Sequence, residues 1–256
     1  NYNFALTPRA IRKTGTTDGR AMKFLARIHL QSSLQVNKKE VSDGKIALLP
    51  LGSSLNDTSL LTMNSVWVNT FSFNRFSSVW GVDINNTRNN QKALLTYGYE
   101  SRSLKDWNIR FRWNVNRSYM AEVITRWGSN RLISSNPAFG NRNYSIRQLS
   151  AEPRFTFTKD SRFRTAVGYK FMDKQNREGD LEQAVSHALN MEVKYNMLQR
   201  SSVQAKLTYT DIRYNAAKPL EGVGSPAAYI LLDGLLPGKN VLWNLDFTRR
   251  LSGSLE

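Results

Sequence analysis

The 256-residue chain contains no cysteine. That excludes a disulfide framework, a thiolate nucleophile and a zinc–thiolate cluster, and it removes the usual clue to redox compartment. Long hydrophobic runs are missing too. The longest, such as residues 46–49 and 227–232, fall far short of the ~20 apolar residues a membrane helix needs. Histidine is limited to His29 and His187, which without cysteine give no recognisable metal-ligand spacing. Residues 1–12 show no basic-then-apolar-then-small leader pattern, so either processing has removed one or the sequence begins inside a longer polypeptide, the second being expected. Acidic residues are outnumbered 36 to 20, for a formal charge of +16. An excess of that size points to an anionic partner: nucleic acid, lipopolysaccharide phosphates, an anionic ligand or acidic protein loops.

What the sequence does have is strict alternation. In residues 107–115, Trp107, Ile109, Phe111, Trp113 and Val115 are apolar, while Asn108, Arg110, Arg112 and Asn114 are polar. Side chains on a strand point to opposite faces in turn, whereas a helix needs apolar spacings of three and four, so this pattern predicts a strand with one oily and one wet face. The same alternation is read in residues 22–30, 80–84, 95–99, 119–127, 163–171, 189–197, 203–209 and 243–247. It predicts roughly a dozen strands, many near the ~9–11 residues that cross a bilayer.

The connections sort by length. From residue 107 onward, tight turns at 116–118, 159–161 and 199–201 alternate with long connections at 128–143, 173–183 and 215–226, and a shorter one is expected at 234–239. In an up-and-down meander successive connections lie at opposite ends, so short turns gather at one end and long loops at the other, as in outer-membrane barrels. Residues 1–63 are less regular, with a long segment at 37–63. The connection at 86–92 is moderate, and residues 66–76 carry apolar side chains of both parities.

These features predict a single all-β domain over residues 1–256, an antiparallel up-and-down transmembrane β-barrel or the larger part of one, with residues 64–256 as its regular meander. In lipid every backbone polar group must be satisfied internally, which leaves the closed barrel as the spanning β-structure. Its outer face must be apolar; its inner face can be wet. The candidates for a basic lumen are Arg110, Arg112, Arg162, Arg164, Lys170, Lys194 and Lys206. Trp67, Trp80, Trp107, Trp127, Trp243, Tyr99, Tyr119 and Tyr169 are the expected interface aromatics, since such rings collect at bilayer boundaries.

Catalytic and cofactor chemistry finds no support. Ser186 precedes His187, but neighbours on a strand face opposite ways and cannot form a nucleophile–base pair by themselves. Asp-Gly pairs at 18–19, 43–44 and 233–234 read as turns, and no glycine-rich phosphate loop is present. The chain is expected to be no enzyme and to hold no metal or cofactor. Arg110-Phe111-Arg112-Trp113 could suggest a single-stranded nucleic-acid platform. Stacking rings and cations should then share a face, whereas here they alternate. A soluble basic nucleic-acid module is the alternative to the barrel; the expected partners are outer-membrane lipid, lipopolysaccharide and other envelope subunits, and not nucleic acid.

Several strings resemble the C-terminal barrel region of large Bacteroidota outer-membrane proteins of mostly undefined function. They are residues 69–75 (NTFSFNR), 80–83 (WGVD), 94–104 (LLTYGYESRSL), 112–114 (RWN), 141–144 (NRNY), 169–171 (YKF) and 232–240 (LDGLLPGKN), with Trp243-Asn244 and Arg249-Arg250-Leu251. The resemblance implies a barrel attached to a large N-terminal region and one or two further strands after residue 256. It transfers no functional residues. The function expected is a pore or translocation component, or a membrane-anchored scaffold subunit of an envelope complex.

Overall fold

A computed structural model describes residues 2–6, 24–25, 27–40, 60–179, 181–197, 201–216 and 226–249. Eleven strands follow one another: β1 (Tyr2–Leu6), β2 (Ile28–Glu40), β3 (Leu60–Phe73), β4 (Trp80–Leu95), β5 (Gly98–Asn114), β6 (Tyr119–Ser134), β7 (Tyr144–Lys159), β8 (Phe163–Asn176), β9 (Gln183–Met197), β10 (Ser201–Asn215) and β11 (Gly238–Arg249). They form one sheet in sequence order, each antiparallel to the next. This is an up-and-down meander. A six-residue helix, α1 (Pro226–Leu231), lies between β10 and β11.

Several sequence boundaries are corrected. The alternation read from residue 22 starts as strand only at Ile28; Phe24 and Leu25 form a helical turn, and Met22 and Ala26 lie outside the described residues. The connection expected at 86–92 is instead the middle of β4, a 16-residue strand. Its turn is the two-residue Thr96–Tyr97 link, where Gly98 adopts φ +122°, a conformation open to glycine and costly for other residues. The connections expected at 215–226 and 234–239 are one connection containing α1. The unalternated run 227–232 is helical, an ambiguity that periodicity cannot resolve in so short a stretch. The Asp-Gly pairs at 18–19 and 43–44 fall outside the described residues; Asp233-Gly234 is the turn that ends α1, with both residues at positive φ.

The two faces of the sheet differ in kind. Val123 is 44% exposed while the preceding Glu122 is 5% exposed, and Phe155 is 68% exposed beside Thr156 at 4%. Large apolar side chains face out and polar ones are covered, which inverts the arrangement of a water-soluble core. Registered across β5 to β9, the outer face carries Phe111, Val123, Pro153, Tyr169 and Leu189 in one row. Pro153 lacks a backbone N–H, and the β7–β8 ladder skips residues 152–153 where that donor is missing.

Successive short turns are staggered. The row through the β5–β6 turn, closed by Val115 N–H to the Tyr119 carbonyl at 3.0 Å, meets β7 at Phe157, two residues before the strand ends at Lys159. The row through Lys159 and Phe163 meets β9 at Tyr195, two residues before Met197. The stagger is one residue per strand. With a rise of about 3.3 Å per residue and a strand spacing of about 4.8 Å, that slope corresponds to a tilt of about 35°, at the low end of the ~35–45° of membrane barrels. The outward residues Tyr119, Ala121, Val123, Thr125 and Trp127 then cover about 22 Å of height, close to the ~25 Å apolar band of such barrels.

Strands are longer than the band because they continue beyond it toward the loop end. There the polar face turns apolar, and Leu132, Tyr144, Ile146, Ala184 and Ile212 pack with Ala227, Leu231 and Leu232 from α1 and the residue after it. Lys174, with a side chain 5% exposed, donates from Nζ to the Ile230 carbonyl at 2.8 Å and pairs with Asp233. A buried ammonium needs such partners, and here they fasten the helix to the wall.

Candidate functional site: the polar face and its outer boundary

The polar face holds a cavity of about 810 Å³ reached by seven successive strands, β2 to β8. Contact from so many strands requires the sheet to curl around it. Five arginines line it, Arg75, Arg110, Arg112, Arg154 and Arg164, against two carboxylates, Asp83 and Glu122. The balance is electropositive.

Hydrogen bonds fix most of these cations. Arg110 pairs with Glu122 through Nε at 3.0 Å and through its terminal amine. Arg154 reaches over Gly168 of β8 to Glu192 at 2.9 Å, and Gln204 donates to the other Glu192 oxygen at 3.0 Å. A Cβ at Gly168 would stand 3.6 Å from that of Arg154 and 3.4 Å from Glu152, both ordinary contact distances. Arg112 donates to the carbonyls of Arg75 and Ser77, both at 3.3 Å, tying the β3–β4 turn to β5. Arg164 makes no ion pair among the described residues. Buried polar atoms without a hydrogen-bond partner, including Arg112 Nε, Asp106 Oδ1 and Thr156 Oγ1, all lie on this face.

Of the residues named from sequence as basic candidates, Arg110, Arg112, Arg164, Lys170, Lys194 and Lys206 share the polar face by register. Arg110, Arg112 and Arg164 line the cavity; Lys170, Lys194 and Lys206 do not. Arg162 stands in the β7–β8 turn, its carbonyl accepting from Asn196 N–H at 2.7 Å. Sequence reading missed Arg154. The alternation of Leu149, Ala151, Pro153, Phe155 and Phe157 contains the signal, but a mid-strand proline obscures it.

The eight aromatics named from sequence all project from the apolar face. Trp107 and Trp127 stack with centroids 5.8 Å apart and planes at 11°, toward the loop end of the band. Trp67 lies at the same end, under Arg88 at 5.8 Å. Trp80 contacts Phe73 at 5.5 Å and Tyr119 contacts Phe157 at 4.9 Å at the turn end. Tyr169 and Trp243 sit within the band rather than at its edge, because Phe171 and Val241 continue the apolar row beyond them. Tyr99 stands past the band, its hydroxyl donating to the Leu60 carbonyl at 2.8 Å.

Ser186 is 7% exposed on the polar face, while His187 on the opposite face meets the Tyr169 hydroxyl through Nδ1 at 2.6 Å. The serine and histidine do not meet. Among the described residues no group of His, Asp and Glu is arranged to hold a metal ion, and no helix is long and apolar enough to cross a membrane.

A meander of long, tilted antiparallel strands, apolar and exposed on one face and polar and covered on the other, is the wall of an outer-membrane-type β-barrel. The wall is not closed among the described residues: β1 pairs with β2 alone and β11 with β10 alone. No family model matches the sequence, and no curated protein matches it. Among solved structures, the ferric yersiniabactin uptake receptor FyuA from Yersinia pestis is similar at a TM-score of 0.44 and 11% identity over 86% of this chain. The chain spans 38% of that receptor's length.

Proposed function

We propose that this chain forms much of the wall of a bacterial outer-membrane β-barrel, in the manner of the large Bacteroidota proteins its sequence resembles, and that its polar face lines an electropositive passage for anionic solutes or polypeptide segments. The observation that carries the membrane reading is the inversion of the two faces, with uncharged apolar side chains exposed across a band about 22 Å high. The arginine-lined cavity supports the passage. A nucleic-acid platform is disfavoured because the rings and the arginines stand on opposite sides of one sheet.

A second reading, a plugged scaffold for other envelope proteins, draws on α1, which folds onto the polar face at the loop end and is fastened by Lys174. Fractionation of the full-length protein, a heat-modifiability gel and conductance in a planar bilayer separate these readings. Recovery in the outer membrane, a heat-dependent mobility shift and anion-selective current support the passage. The same shift with no current favours the scaffold, and recovery as a detergent-free soluble protein overturns both.

A further inference from the structure

The outer surface of the wall carries a second pattern that the passage does not use. Within the apolar band, the outward positions of β5 to β10 contain no Lys, Arg, Asp or Glu. One row past the stacked Trp107 and Trp127, toward the loop end, this changes at once. Arg88 pairs in register with Lys105, Lys105 with Ser129 and Ser129 with Arg147, and Arg131 lies one outward position beyond Ser129. Arg88, Lys105, Arg131 and Arg147 are all exposed. Among the described residues no carboxylate pairs with Lys105, Arg131 or Arg147.

Two of these cations, Lys105 and Arg147, line a groove of about 500 Å³ on the outer surface together with Arg177, with Trp107 and Trp127 on its band side; Arg131 stands one outward position beyond Ser129, which also lines it. The one carboxylate lining it, Asp173, is engaged by Gln175 at 3.2 Å and Gln183 at 3.0 Å. Lys105 and Arg147 stand two strands apart, so their backbones are separated by about 9–10 Å.

We propose that this groove binds the phosphorylated headgroup of an outer-leaflet glycolipid, with Lys105, Arg131 and Arg147 as the phosphate-binding cations. The inference rests on the membrane reading above and deepens it. Its occupant follows from position and charge: the groove opens sideways from the wall, at the level where the acyl region ends and headgroups begin, on the end with the longer loops. A soluble anion passing through the barrel would meet the other face. Exposed cations just past an apolar band attract anionic headgroups by about 1 kcal/mol each, or about fivefold.

The test titrates the detergent-purified full-length protein with diphosphorylated lipid A, with its dephosphorylated form and with phosphatidylethanolamine, reading tryptophan fluorescence and bound lipid by native mass spectrometry. The expected result is preference for the phosphorylated form and a loss on the order of 100-fold in K105Q/R131Q/R147Q. R117Q/K159Q, which removes charge at the turn end, should bind as the parent does, and Lys105→Arg should retain binding. Equal binding by the triple variant and the parent would overturn the proposal. So would displacement of lipid by equimolar inorganic phosphate, which would assign the site to a free anion. A heat-modifiability gel on each protein keeps the two levels apart: a normal shift with no lipid preference sinks this site alone, whereas a parent with no shift sinks the membrane reading beneath it.

Discussion

Replacing Val123 by arginine tests the inverted faces most directly. Val123 lies near mid-band on β6, 44% exposed, with Phe111 and Pro153 beside it in register. If lipid covers this face, a guanidinium here is placed near the bilayer midplane, where it costs about 2–4 kcal/mol. That is about 30-fold to roughly 700-fold in the folding equilibrium. If water covers it, Val123→Arg is a surface change within about 0.5 kcal/mol of the parent. Ser103→Arg, on the same face beyond Lys105, supplies the internal control, because the membrane penalty falls to about 0–1 kcal/mol near the interface. The assay is guanidinium unfolding of the protein reconstituted in lipid vesicles, followed by tryptophan fluorescence and the mobility of heated and unheated samples. A difference of less than about 0.5 kcal/mol between Val123→Arg and Ser103→Arg would refute the argument from exposure.

Three further outcomes are expected. Glu122→Gln leaves Arg110 without its ion pair and should lower stability by about 1 kcal/mol, a figure kept small because the Arg110 side chain is 44% exposed; the double variant with Arg110→Gln should recover part of the loss in the same unfolding assay. Leu231, 2% exposed, anchors α1, so Leu231→Ala should cost about 2–4 kcal/mol locally and raise protease cleavage in the β10–β11 connection while the strands stay protected. Gly128→Ala should perturb the β5–β6 pairing, since a Cβ there would collide with the Lys105 carbonyl; a lower unfolding midpoint with retained heat modifiability is the expected readout.

The sequence revealed the wall wherever one face is apolar and the other polar. Residues 107–115 and 189–197 alternate because one side must be apolar, and both follow strands of the expected parity, the first ending at Asn114 with Val115 already in the turn. Beyond the band that constraint lapses. In β4 the outward positions after Ile84 are Asn86, still in register with Trp107, and then Arg88 and Asn90, as polar as their inward neighbours, so the strand reads as a connection. The helix α1 was hidden for another reason: six residues give less than two turns, and apolar neighbours without alternation suit several structures. The basic groove was invisible because Lys105, Arg131 and Arg147 come from three strands and meet only through register. The pairing of Arg154 with Glu192 likewise joins residues two strands apart.

The regular stagger has a consequence for how such walls change size. Because each hairpin advances by two residues, it returns the chain to the same parity and the same slope from which it started. A hairpin is therefore an interchangeable module: one copied or lost leaves every remaining side chain on its own side of the sheet. A lone strand gained or lost would swap the ends at which the turns and loops emerge. Evolution or design could widen or narrow this barrel two strands at a time.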